Sequence, residues 1–203
     1  MNYSYLALGD SYTIGEQVPL FENFPYQAIQ ILRKQFIGTH NFFAPEILAK
    51  TGWTTDELLN QIHQTEFQKK YDFVSLLIGV NNQYRGKELS IFATEFEILL
   101  KKANAFADGN TAAVFVLSIP DWGVTPFAAD RDLKKISNEI NQYNEVCKDI
   151  CLQSGSHFID ITTSQRIDGT KDEFLASDKL HPSGLEYAKW AALLSEKLIQ
   201  LLK

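Results

Sequence analysis

The sequence predicts an α/β/α sandwich, three layers built around a five-stranded parallel sheet, and three observations lead there. Short apolar runs alternate along the whole chain with longer stretches of helical periodicity. Two of the runs, Phe73-Val74-Ser75-Leu76-Leu77-Ile78 and Ala113-Val114-Phe115-Val116-Leu117, are apolar at nearly every position, as strands buried on both faces of a parallel sheet must be. The segments without regularity mostly follow strands and therefore gather at one edge of the sheet, where open α/β folds bind ligands. At 203 residues, with 45 % hydrophobic and 12 % aromatic side chains, the chain suits one domain over 1–203 with a sizeable core.

The first strand is expected over residues 3–8 and is ended by Gly9, where Gly9-Asp10-Ser11 should turn sharply. A first helix starts at Asn23-Phe24-Pro25, with Asn as cap and Pro in the first turn, and runs to Phe36 ahead of Gly38. The second strand is expected over 41–49, and the second helix opens at Thr54, which stands three residues before Glu57 as a capping box requires. A third strand over 72–78 leads to a helix over 90–107, ended by Asp108-Gly109-Asn110. A fourth strand over 112–118 precedes a long helix on which Leu133, Ile136, Ile140, Tyr143, Cys147 and Ile150 recur at three and four, up to Ser154-Gly155. After a fifth strand over 157–161, the last helix begins at Ser183, with Glu186 at the spacing of a second capping box. Residues 12–22, 79–89, 119–130 and 162–181 are expected to lack regular structure, and loops this long in a compact domain tend to be functional.

Composition excludes several roles. A net charge of -6 and scattered Lys and Arg argue against nucleic acid or an anionic membrane surface as partner. No apolar run approaches the roughly 18 residues of a membrane span, and the N-terminus lacks a signal-peptide pattern, so the cytoplasm is the expected compartment. Cys147 and Cys151, alone and four apart in a helical pattern, read as reduced thiols rather than metal ligands. There is no Gly-x-Gly-x-x-Gly, and Gly86-Lys87-Glu88 lacks the rest of a phosphate-cradling loop, so no nucleotide cofactor is expected. An α/β-hydrolase elbow would need Gly where Thr13 stands. A phosphotransfer role for Asp10 would need a second acidic neighbour to hold magnesium, so no metal is expected either.

What remains points to acyl transfer. Ser11, Gly52 and Asn81 each follow a strand, and Asp178 and His181 stand just before the last helix, so all five should converge at the sheet edge. A serine hydroxyl needs a base, and the base works best when a carboxylate fixes its tautomer. His181 and Asp178, three apart, can fill those roles for Ser11. The tetrahedral intermediate needs donors, which the backbone amides of Ser11 and Gly52 and the side-chain amide of Asn81 can supply.

Gly9-Asp10-Ser11-Tyr12, the glycine after the second strand, Gly79-Val80-Asn81-Asn82, and Asp178-Lys179-Leu180-His181 resemble, in order and spacing, the four blocks of the GDSL-type esterases and lipases of the SGNH hydrolase superfamily. The resemblance spans Gly9 to His181. It implies a flavodoxin-like sandwich, with Ser11 as nucleophile, His181 as base, Asp178 as its partner, and Ser11, Gly52 and Asn81 as the oxyanion hole. Two residues depart from the family pattern: Asn82 where the third block commonly has Asp, and Tyr12 where the first commonly has Leu. Tyr12, Trp53, Asn82, Tyr84 and Trp122, with Phe127 nearby, are the candidates for contacts with a small-molecule ester substrate. No long amphipathic lid is evident, so small-acyl esters are favoured. The alternatives are a lysophospholipase or thioesterase acting on longer chains, and a non-catalytic binding module that keeps the fold.

Overall fold

A computed structural model of the chain describes residues 1–202. The main sheet consists of β2 (Tyr5–Asp10), β4 (Glu46–Lys50), β5 (Phe73–Leu77), β6 (Val114–Leu117) and β7 (His157–Ile159), in spatial order β4-β2-β5-β6-β7 and parallel throughout. This is the flavodoxin-like order, in which the chain reverses its direction of winding beside the first long strand. Leu6, Leu8, Val74, Leu76, Val114 and Val116 are wholly buried, which accounts for the unbroken apolar runs of the central strands. The edge strands β4 and β7 are only partly covered.

Two expected strands are each split. Backbone N and Oγ of Ser4 both donate to Asp72 Oδ2, at 2.7 and 2.8 Å, and this interrupts the first run between β1 (Asn2–Tyr3) and β2. The second is interrupted ahead of β4 at Pro45, which has no N–H for a ladder, leaving β3 (Asn41–Phe42) to pair with β1 in a separate two-stranded sheet.

The helices are α1 (Ser11–Ile14), α2 (Phe24–Gln35), α3 (Thr55–Gln64), α4 (Val80–Tyr84), α5 (Leu89–Phe106), α6 (Leu133–Ser154), α7 (Thr162–Asp168) and α8 (Gly184–Leu201). α2 and α8 pack together on one side of the sheet, while α3, α5 and α6 form the other layer. α1, α4 and α7 lie in segments expected to be irregular. Each is under about two turns, too short for helical periodicity to register. Thr54 and Glu57 form the expected capping box. Ser183 caps α8, but Glu186 does not complete a box: it is turned inward, accepting hydrogen bonds from Ser164 Oγ and Trp190 Nε1 and pairing with Lys189. Cys147 and Cys151 are free thiols facing the core, where burial pushes Cys151 up to about 12. Among the described residues no helix is long and apolar enough to cross a membrane.

Asn23 ties this frame to the turn after β2. Its Oδ1 accepts from Tyr26 N at 2.9 Å, capping α2, and its Nδ2 donates to the Ile14 carbonyl at 3.1 Å, closing α1. Asn23→Ala is expected to lower stability by about 1–2 kcal/mol, read as a lower urea midpoint at unchanged slope.

Candidate active site

The site begins with a steric demand on Gly9. A side chain there would bring its first carbon 2.1 Å from Thr13 Oγ1 and 2.4 Å from the Leu77 carbonyl, so only glycine lets β2 turn this tightly into α1. Asp10 then caps α1, its Oδ1 accepting from Tyr12 N at 3.0 Å, and Ser11 occupies the first helical position, where no intrahelical partner exists for its N–H. Burial pushes the Asp10 carboxyl up to about 7, against the lowering effect of its amide contacts.

Ser11 lines a cavity of about 230 Å³ together with Gly52, Asn81 and His181. The His181 ring is fixed from one side: Nδ1 stands 2.6 Å from Asp178 Oδ2, while Asp178 Oδ1 accepts from the amides of Leu180 and His181, both at 3.0 Å. Desolvation raises the Asp178 carboxyl, but the His181 ring and these two amides outweigh it and hold the group below its ordinary value. Asp178 is therefore ionised at neutral pH, which favours the tautomer with the proton on Nδ1 and leaves Nε2 free of that contact. Lys179, in left-handed backbone at φ 59°, makes the turn between them, and its carbonyl accepts from Phe127 N at 3.3 Å. Among the described residues no hydrogen bond joins Ser11 Oγ to His181, and such contacts tighten when substrate arrives.

Gly52 and Asn81, the candidate donors, are braced from behind. Gly52 adopts φ +84°, open to glycine at little cost, and its carbonyl accepts from Arg85 Nη2 at 2.5 Å, while Arg85 also pairs with Glu57. Asn81 Nδ2 donates to the Trp53 carbonyl at 2.9 Å, which leaves its second amide hydrogen uncommitted to that bond. Tyr12 packs its ring 5.2 Å from His181 and forms part of the lining. Tyr84, Trp122 and Phe127 also line the cavity, with Trp122 in edge contact with Tyr84 at 5.3 Å and with Phe127 at 6.2 Å.

Two candidates for substrate contact are placed elsewhere. Trp53 contributes its backbone carbonyl, while its side chain packs against the core instead of lining the cavity. Asn82 is wholly buried: its Oδ1 accepts from Thr55 N and its Nδ2 donates to Thr55 Oγ1 at 2.6 Å, while Thr55 Oγ1 donates in turn to Glu95. It locks α4 to α3 and cannot reach a substrate. Sequence reasoning missed Thr51, Val80 and Leu180 in the lining and Arg85 behind Gly52. Only Arg85 left a trace, four residues after Asn81, just past a helix too short to read.

The model of the GDSL-like lipase/acylhydrolase family matches residues 7–189. The chain belongs to that family. As a member of it, the protein is a carboxylic ester hydrolase. Solved structures share the fold at low identity. A lipase/acylhydrolase from Enterococcus faecalis is 19 % identical with TM-score 0.73, covering 97 % of this chain and 95 % of its own. A psychrotrophic esterase from Pseudoalteromonas sp. is 14 % identical with TM-score 0.73, covering 98 % of each chain. An acetylxylan esterase from Geobacillus stearothermophilus is 17 % identical with TM-score 0.73, covering 97 % and 94 %. No curated protein sequence matches the chain.

Asn82 in place of the family's Asp has a local cause. Thr55 Oγ1 has one proton and gives it to Glu95, so the residue at 82 must donate to Thr55 rather than accept from it. Asn82→Asp is expected to cost about 1–3 kcal/mol. Adding Glu95→Gln restores a donor and recovers the loss. An unchanged melting temperature for Asn82→Asp alone contradicts this account. Asp10 yields a second expectation. Its raised value means the folded state holds a proton that the unfolded chain has released, so this stability is present below pH 4 and is lost as pH rises through about 7. Asp10→Asn keeps the acceptor for Tyr12 N and should flatten the urea midpoint over that range. A slope identical to that of the unaltered protein removes Asp10 as its source.

Proposed function

We propose that the protein is a serine esterase that hydrolyses small-acyl, acetyl-type esters through an acyl-enzyme on Ser11. The observation that carries this reading is the 2.6 Å contact between His181 Nδ1 and Asp178, on the wall of the cavity that Ser11 also lines. His181 Nε2 takes the Ser11 hydroxyl proton as Oγ attacks the ester carbonyl, and Asp178, ionised throughout, stabilises the imidazolium. The N–H groups of Ser11 and Gly52 and the Asn81 side-chain amide bind the negative oxygen. When the intermediate collapses, the bond to the alcohol breaks and His181 returns the proton to the leaving oxygen. Water then attacks the acyl-serine with His181 again as base, releasing the acid and restoring Ser11.

Size and lining favour a short acyl group. A cavity of roughly 150 Å³ holds a benzene ring, and drug-sized pockets start near 300 Å³; about 230 Å³ suits a small acyl group with part of its alcohol. Tyr84 and Trp122 give the substrate an aromatic face. The likeness to an acetylxylan esterase is in keeping with an acetyl-type substrate.

A fluorophosphonate should add once to the folded protein, on Ser11 by peptide mapping, and not to Ser11→Ala. Asn81→Ala should lower kcat by roughly a hundred- to a thousandfold, whereas a loss under about tenfold would make Asn81 a turn residue only. Across p-nitrophenyl esters from acetate to dodecanoate, kcat/KM should fall with acyl length. A steady rise would overturn the small-acyl reading in favour of a long-chain hydrolase.

A further inference from the structure

Gln83 is absent from the cavity lining, yet it holds one of the cavity's walls. Its carboxamide is buried between two spaces, the cavity of Ser11 and a neighbouring polar groove of about 210 Å³ that it lines with Glu139, Lys87 and Tyr143. Toward the first, Gln83 Oε1 accepts the indole N–H of Trp122 at 2.7 Å; toward the second, Gln83 Nε2 donates to Glu139 Oε2 at 2.8 Å. The amide is thereby polarised along one line, from indole to carboxylate, and its orientation is fixed by both ends. Apart from edge contacts of its ring with Tyr84 and Phe127, Trp122 is otherwise anchored through its backbone. Its carbonyl accepts from Thr125 Oγ1 at 2.7 Å, and the preceding Asp121 is held by Ser137 and Arg166. Those contacts fix where the side chain starts, and Gln83 supplies the hydrogen bond that fixes how the ring is turned.

We propose that Gln83 is a positioning residue that sets acyl-chain selectivity by locking the Trp122 indole as the end wall of the acyl pocket. The inference rests on the esterase reading above. Trp122 and Asn81 line the same cavity, so the wall held by Gln83 and the side-chain amide assigned to the carbonyl oxygen border one substrate. The leaving alcohol must depart toward His181, which protonates it, and in this proposal the acyl part is the group set against Trp122. Without an acceptor, the buried indole N–H is left unpaired, a costly state that drives the ring to turn in search of another partner. A turned ring opens the wall, and longer acyl groups gain access. Truncating Trp122 would open it as well; the role claimed for Gln83 is distinct, because it acts without touching the substrate.

The test compares Gln83→Leu, which keeps the bulk and removes the acceptor, with the double variant Gln83→Glu/Glu139→Gln. In the double variant the carboxylate at 83 accepts from the indole and the new amide at 139 donates to that carboxylate, so both hydrogen bonds return with the charge unchanged. The ratio of kcat/KM for hexanoate to that for acetate should rise roughly tenfold in Gln83→Leu, the scale on which apolar pockets discriminate by chain length. It should return to its original value in the double variant. The indole N–H resonance of Trp122, assigned by its loss in Trp122→Phe, should shift and exchange faster in Gln83→Leu and recover in the swap. A loosened indole with an unmoved ratio overturns the selectivity role, and an unchanged indole resonance overturns the anchoring itself. If the unaltered enzyme hydrolyses no ester of the series, the failure lies in the functional reading, and the selectivity role falls with it.

Discussion

Parallel pairing is the constraint on which the rest depends. Because all five strands of the main sheet run in one direction, every strand delivers its following loop to the same edge, and helices must carry the chain back. β2 lies between β4 and β5, with Asp10 opposite Lys50 and Gly9 opposite Leu77. The residues just beyond those rungs are Ser11, Gly52 and Asn81. Their meeting follows from register, before any contact among the side chains themselves. Asp178 and His181 reach the same edge from the segment before α8, whose packing against α2 fixes where that segment ends.

Register brings the loops together but does not hold them to a fraction of an ångström. That is done by polar contacts running between loops: Asn81 to the Trp53 carbonyl, Arg85 to the Gly52 carbonyl, Asn82 to Thr55. Arg85 and Glu57 are half-exposed, and such pairs contribute no more than about 1 kcal/mol to stability. Their value is positional, since each fixes a peptide or a carboxamide that borders the cavity. The buried members matter more energetically, because a buried polar group left unpaired costs several times what a surface pair contributes.

The long elements were legible because burial imposes a period. β5 and β6 are covered on both faces and read as unbroken apolar runs, and α6 buries Ile136, Ile140, Tyr143 and Cys147 along one stripe. The four motif blocks made the family readable, and they named Ser11, Asp178 and His181, of which Ser11 and His181 line one cavity and Asp178 contacts His181. Asn82 was misread as a substrate contact because its environment is set by Thr55 and Glu95, which lie 27 and 40 positions from their partners in sequence and carry no local signal. Glu186 has the spacing of a capping box but is drawn inward by Ser164, Trp190 and Lys189, a tertiary pull that overrides a local motif. The splits at Ser4 and Pro45 and the short α1, α4 and α7 fall below the length at which periodicity distinguishes one state from another.

The segment from Pro120 to Ala128 is braced differently from the loops bearing Ser11, Asn81 and His181. It is held by Asp121 to Arg166 and Ser137, by Gly123 against Ile136, and by Trp122 to Gln83, so its supports come from α6, α7 and α4. A further support, from Phe127 N to the Lys179 carbonyl at 3.3 Å, ties the segment to the turn between Asp178 and His181, while none of these supports comes from the turn that bears Ser11. Mutational drift in this segment can therefore reshape one wall of the cavity while the turn at Ser11 keeps its own steric and hydrogen-bonded frame. The fold is in that sense modular toward selection, with one part free to diversify while another is conserved by its geometry.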